Sequence, residues 1–117
     1  MSKDVDRDRS KFEEKIIVGF CTAPTAEVAQ KIAESIVKAK LAACVNIIPK
    51  IISYYYWDEQ LNKDNESLLL IKTKPDLKES VTRFIKELHP YEVPEIIFSE
   101  FSGGNQDYLQ WVYHETK

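Results

Sequence analysis

The sequence LAACVNIIPKIISYYYW, at residues 41–57, decides the fold. It is rich in β-branched and aromatic residues, which favour strands, and Pro49 removes one backbone donor from the middle of the run. We therefore predict one long strand that is bulged or bent at Pro49. The polar sequence LNKDN at 61–65 predicts a turn, and residues 66–73 predict the returning strand of an antiparallel hairpin.

A strand and an amphipathic helix are predicted both before and after this hairpin in the sequence. Before it, the apolar run at 15–22 predicts a buried, nearly central strand, and apolar residues at helical spacing predict a helix over 24–40. After it, residues 75–88 predict a second amphipathic helix, 95–101 a fourth strand, and Asn105 the cap of a short last helix. The order β-α-β-β-α-β plus a C-terminal helix predicts an α+β fold. It is a ferredoxin-like split βαβ sandwich with both helices on one face of an antiparallel sheet.

Length and charge restrict the class of protein further. The chain has 117 residues, and we predict a single domain at 15–117 that needs no metal or disulfide to fold. Residues 1–14 carry nine charges of both signs, so we expect a disordered tail there. A formal charge of -3 and the shortness of every apolar run argue against nucleic acid and membranes as partners. Two well-separated cysteines fit free thiols in a reducing compartment, which predicts a cytoplasmic location.

The predicted sheet has more apolar surface than two helices can cover. Its bare face is therefore expected to meet another subunit. Fully extended, residues 43–57 would cover roughly 50 Å, whereas a compact chain of this size has a radius of gyration of about 13 Å. The hairpin must then bend or project onto a neighbour, and residues 54–57 are of types common at interfaces. An aromatic cluster within one subunit is the alternative.

Five segments of the chain are distinctive when they are taken in order. They are LAACVNIIP at 41–49, SYYYW at 53–57, LIKT at 70–73, HPYEVPEI at 89–96 and YLQW at 108–111. Together they resemble the serial motifs of the CutA-type divalent-cation tolerance proteins, over roughly residues 15–113.

That resemblance implies a tight homotrimer whose hairpins pack around the threefold axis. It also implies a role in tolerance to divalent metals, especially copper. A mammalian relative has been linked to acetylcholinesterase anchoring, and the trimer is similar to the PII signalling proteins. These likenesses imply an alternative function, in which the subunit clefts sense a small molecule or bind a protein partner.

Cys21 and His89 are the candidate metal ligands. Cys21 ends the first predicted strand, where its side chain can reach the surface, and a thiolate with an imidazole suits copper or zinc. In some members of the resembled family, the matching cysteine and histidine have been assigned to copper. Those members place a second histidine where this chain has Leu88. A third ligand from Glu92 or from another subunit could complete the site, although the spacing does not demand one. We expect weak binding of copper or another divalent ion.

Both candidate ligands have structural alternatives. Cysteine is among the most buried residue types, so Cys21 can equally be a small filler of the core. His89 follows a predicted helix and can equally cap it by bonding a terminal carbonyl.

A second set of candidate residues would line a small-ligand or interface cleft. The set comprises Tyr55, Trp57, Lys72, Tyr91 and Glu92. Catalysis has little support, because the sequence contains no serine elbow, phosphate-binding glycine loop or metalloprotease helix. We therefore predict that the protein is not an enzyme.

Overall fold

The computed structural model describes residues 15–117. These residues form, in order, β1 (Ile16–Ala23), α1 (Ala26–Lys38), β2 (Cys44–Trp57), β3 (Gln60–Thr73), a 3-10 turn (Pro75–Leu77), α2 (Lys78–Leu88), β4 (Ile96–Phe101) and α3 (Gln106–His114). The sheet has the strand order β2-β3-β1-β4, and all neighbouring strands are antiparallel. The predicted α+β class and element order are confirmed. The predicted tail at 1–14 lies outside the described residues.

One face of the sheet forms the main core. Because side chains alternate along a strand, Cys21 and Ile71 point to this face, where they pack with Ile36 of α1 and Ile85 of α2. Both crossover helices therefore cover the same face, as the sequence predicts. The third helix, α3, packs at one end of the sheet around Ile16.

The opposite face of the sheet is largely open in the single chain. Ile97 of β4 lies beside Phe20 of β1, and Ile48 of β2 lies beside Leu68 of β3. Ile97 keeps 58% of its surface exposed. The expected uncovered apolar face is present, and it is the surface on which a partner subunit is predicted.

The hairpin of β2 and β3 differs from the prediction at its turn. The pairing shifts between Ile48 and Ile51, which confirms the bulge expected beside Pro49. The predicted turn at 61–65 is wrong, because those residues belong to β3 and the chain reverses at Asp58 and Glu59. A polar sequence can remain a strand here, since the end of a two-stranded ribbon faces solvent on both sides.

The outer half of this hairpin extends well beyond the sheet. We name residues 51–66 the ribbon. The described chain measures 62 × 26 × 22 Å and has a radius of gyration of 16.8 Å, above the roughly 13 Å of a compact chain of 100 residues. Tyr54 and Tyr56, on the ribbon, are 64% and 72% exposed. The hairpin therefore projects beyond its own sheet, which is compatible with the predicted contact with a neighbour.

Helix ends place the loops that carry the candidate residues. Thr25 caps α1, its side chain accepting a hydrogen bond from the Val28 N–H at 3.1 Å. Helix α2 ends at Leu88, and the His89 N–H donates to the Ile85 carbonyl at 2.8 Å. Within residues 15–117, no helix has both the length and the apolar character needed to cross a bilayer.

Candidate functional site

A cleft of about 800 Å³ lies between the ribbon and the loop that joins α2 to β4. Its walls combine aromatic rings with carboxylates, and the lining residues are Thr22, Ser53, Tyr54, Tyr55, Tyr56, Trp57, Glu66, Pro90, Tyr91, Glu92, Val93 and Glu95. Four of the five predicted cleft residues, Tyr55, Trp57, Tyr91 and Glu92, therefore lie together.

Lys72, the fifth predicted cleft residue, lies elsewhere. It pairs with Val18 and Cys44 on the neighbouring strands, away from the ribbon. Its ammonium group donates a hydrogen bond to the side-chain oxygen of Asn46. The structure therefore separates Lys72 from the other four residues.

Glu66 is a buried carboxylate in the wall of the cleft. It is 7% exposed, and it accepts a hydrogen bond from the Tyr91 hydroxyl at 2.6 Å. Burial, followed by this hydrogen bond, raises the pKa of the Tyr91 hydroxyl. On the ribbon, the hydrogen bond from Tyr55 to Asp64 raises the pKa of the Tyr55 hydroxyl in the same way. Both phenols therefore remain protonated donors at neutral pH.

Cys21 is fully buried on the helix-facing side of β1. Strand β1 continues to Ala23, so the expectation that Cys21 reaches the surface is wrong, and the core-filler alternative describes its position. Its thiol lies 3.7 Å from the Thr22 carbonyl oxygen. Burial, then the charges of Glu95 and Glu66, raises the pKa of the Cys21 thiol to about 12. At neutral pH this group is a thiol and not a thiolate.

His89 uses both ring nitrogens in hydrogen bonds. The Tyr91 N–H donates to Nδ1 at 3.1 Å, so Nδ1 must be the acceptor of the ring. Nε2 then carries the proton and donates to the Thr22 carbonyl at 2.7 Å. The ring therefore joins the α2–β4 loop to the end of β1, whereas the sequence suggested a bond to a carbonyl of its own helix.

The two candidate metal ligands both contact the Thr22 carbonyl. Neither has a side-chain atom ready to coordinate a metal ion, because the Cys21 sulfur is protonated and both His89 nitrogens are hydrogen-bonded. A metal ion would have to displace the thiol proton of Cys21 and one of the two hydrogen bonds of His89. Across residues 15–117, no three His, Cys, Asp or Glu side chains are grouped as a metal site. Each of these two requirements would lower the affinity of a metal site built from Cys21 and His89.

Two residues of this region were missed by the sequence interpretation. Glu66 stands at the start of an apolar strand segment, and its position alone does not reveal that its carboxylate is buried. Thr22 contributes through its backbone carbonyl, which every residue possesses. A charged residue at the start of an apolar strand segment is the one sequence signal that could have drawn attention to Glu66.

Comparison with known proteins gives consistent results. Residues 17–115 match the sequence profile of the CutA1 divalent ion tolerance proteins. The chain is 44% identical to the divalent-cation tolerance protein CutA of Thermus thermophilus over 109 residues, which cover 90% of this chain and 99% of that protein.

A plant relative and a plant structure extend the comparison. The chain is 40% identical to the chloroplastic protein CutA of Arabidopsis thaliana over 116 residues, 99% of this chain and 64% of that protein. It therefore spans less than two thirds of the plant relative. The crystal structure of CutA1 from Oryza sativa superposes with a TM-score of 0.88 at 42% identity, covering 91% of this chain and 97% of that one.

Proposed function

The chain belongs to the CutA1 divalent ion tolerance protein family, and on this premise we propose that it acts in the response to divalent metal ions as a cytoplasmic homotrimer. The observation that carries the proposal is the family match over residues 17–115. The open apolar face of the sheet and the projecting ribbon support self-association. The free thiols of Cys21 and Cys44 support a reducing compartment.

The proposed metal interaction is weak binding of copper or another divalent ion by Cys21 and His89. The thiol pKa of about 12 means that binding must release a proton at neutral pH, which lowers the affinity. The His89 ring must also give up its 2.7 Å bond to Thr22 or its 3.1 Å bond from Tyr91. Glu92, which is exposed at the cleft, or a residue of a neighbouring subunit would supply a third ligand.

A copper titration of the purified protein tests this proposal. Ascorbate keeps the copper reduced without adding a competing thiol, and light scattering follows the molecular mass. We expect weak, saturable binding by the wild type and by Cys44→Ala, and loss of binding in Cys21→Ala and His89→Gln. The glutamine can still donate a hydrogen bond from its side chain, so the loop has a replacement for the lost ring contact. Unchanged binding by both ligand variants would reject these two residues.

The second proposed function is recognition of a small molecule in the cleft, with no chemical reaction. Its volume of about 800 Å³ lies within the roughly 300–1,000 Å³ typical of small-molecule sites. A non-enzymatic role is supported by Cys21, whose raised pKa keeps it from acting as a ready nucleophile. Binding in this cleft would stabilise the folded chain by mass action, so a saturable ligand should raise the temperature of thermal unfolding.

A further inference from the structure

The cleft has the composition of a site for a positively charged organic molecule. We propose that it binds a small organic ammonium ion between the Glu66 carboxylate and the aromatic rings of Tyr55, Trp57 and Tyr91. This proposal rests on the second function above and specifies the chemical class of its ligand.

The first observation is the sign of the charge around the cleft. Glu66, Glu92 and Glu95 line it, and no lysine, arginine or histidine of residues 15–117 does so. The same acidic groups act on nearby side chains, since Glu95 and Glu66 both raise the pKa of the Cys21 thiol. A cleft lined by one sign of charge raises the local concentration of the opposite sign. Cations are therefore favoured and anions are disfavoured.

The second observation is that Glu66 is buried with no counter-ion among residues 15–117. Its side chain is 7% exposed, and the Tyr91 hydroxyl is its one hydrogen-bond donor among the described residues. No cationic nitrogen in that part of the chain lies within ion-pair distance of it. A buried charge is costly unless it is paired, and a carboxylate can accept several hydrogen bonds. A bound ammonium group would supply the missing charge and the missing donors.

The third observation separates an organic cation from a metal ion. A volume of about 800 Å³ greatly exceeds what one coordinated ion needs, and the described chain groups no three metal ligands. Tyr55, Trp57 and Tyr91 line the cleft instead. The face of an aromatic ring attracts a cation that lies within about 6 Å of the ring centroid. An ammonium group on an apolar body would use the carboxylate and the rings together.

Three probes of similar size and shape test the ligand class. They are 2-phenylethylamine, which is cationic at neutral pH, 2-phenylethanol, which is neutral, and phenylacetate, which is anionic. The chain has two tryptophans, so in a Trp111→Phe background the fluorescence reports Trp57 alone. Titrations with EDTA present exclude a metal-mediated effect.

Two matched variants then test the role of Glu66. Glu66→Gln keeps the shape and a carbonyl acceptor for Tyr91 but removes the charge, whereas Glu87→Gln removes an exposed charge on α2, outside the cleft. We expect saturable binding of the amine alone. Its affinity should fall at least tenfold in Glu66→Gln and remain unchanged in Glu87→Gln.

Each other outcome overturns the proposal in a distinguishable way. Equal or tighter binding of the alcohol or of phenylacetate would reject the ammonium class while leaving a ligand-binding cleft. Binding by none of the three probes would reject both the class and the small-molecule function. Unchanged amine affinity in Glu66→Gln would reject the role of Glu66, and so would an equal loss in both variants, which would show a nonspecific effect of net charge.

Discussion

At the residue scale, one backbone oxygen organises the candidate site. The Thr22 carbonyl accepts from His89 Nε2 at 2.7 Å and lies 3.7 Å from the Cys21 thiol. His89 in turn accepts from the Tyr91 N–H, and Tyr91 donates to Glu66. This series of contacts joins the end of β1, the α2–β4 loop and the base of the ribbon. Loss of any of these contacts should therefore affect the shape of the cleft.

Cys21 should make the stability of the fold decrease at alkaline pH. Its pKa is raised in the folded chain from the ordinary 9.0 to about 12, so the unfolded thiol ionises first. The stabilisation is complete below pH 9 and is lost as the pH rises toward 12, by about 1.4 kcal/mol per unit. Urea unfolding at pH 8 and pH 10.5 should show a smaller alkaline loss in Cys21→Ala than in the wild type. Cys44→Ala is the control. If both variants lose the same unfolding free energy between pH 8 and pH 10.5, ionisation of Cys21 is not the cause of the alkaline loss.

At the scale of the elements, the two-residue turn at the tip of the ribbon fixes which residues of β2 and β3 pair along its length. Asp58 and Glu59 have φ values of 52° and 62°, and Trp57 pairs with Gln60 across them. Two consecutive residues with positive φ form the turn whose twist matches that of the flanking strands. Asp58 suits the first of these two positions, but Glu59 stands where this turn favours glycine, so the sequence carried only a weak signal for the turn.

Replacing Glu59 with glycine should stabilise the tip of the ribbon. Glycine adopts positive φ without the steric penalty of a Cβ atom, but it loses more conformational freedom on folding than glutamate does. The net gain in the free energy of unfolding should be about 0.5–1 kcal/mol. Local opening of the tip should become less frequent, so its amide protons should exchange with solvent severalfold more slowly. Glu59→Ala removes the same carboxylate without providing this freedom. Equal protection in both variants would assign the effect to charge.

At the scale of the whole molecule, the single chain has an open apolar face and an exposed ribbon. Phe20 and Leu68 lie on that face, and Ile97 beside them is 58% exposed. Together with the 62 Å length of the chain, this surface supports the proposed homotrimer. Burial of such a face would couple folding to association.

Light scattering of the wild type should give three times the 13.6 kDa subunit mass, and reversible thermal unfolding should shift upward with protein concentration. Ile97→Glu should lower the mass because it places a charge on the open face. Val37→Glu, a matched change at a 36% exposed residue of α1 on the helical side, should leave the mass unchanged. A trimer that tolerates Ile97→Glu would show that the interface lies elsewhere.

The types and the order of most strands and helices could be predicted from the sequence, because the spacing of apolar residues is a local property of the chain. A short continuous apolar run located β1, and apolar residues at helical spacing located α1, each to within about two residues. Pro49 marked the bulge. The exposed tip of the ribbon lacked any burial pattern, which is why its turn was misplaced.

The sequence by itself determined the element order, the uncovered apolar face and the grouping of Tyr55, Trp57, Tyr91 and Glu92 as cleft candidates. Only the tertiary structure decided that Cys21 is buried and that His89 has no free nitrogen. It also placed Glu66 in the cleft and Lys72 outside it. The physical reason is that burial, protonation and hydrogen bonding depend on neighbours brought together from distant parts of the chain.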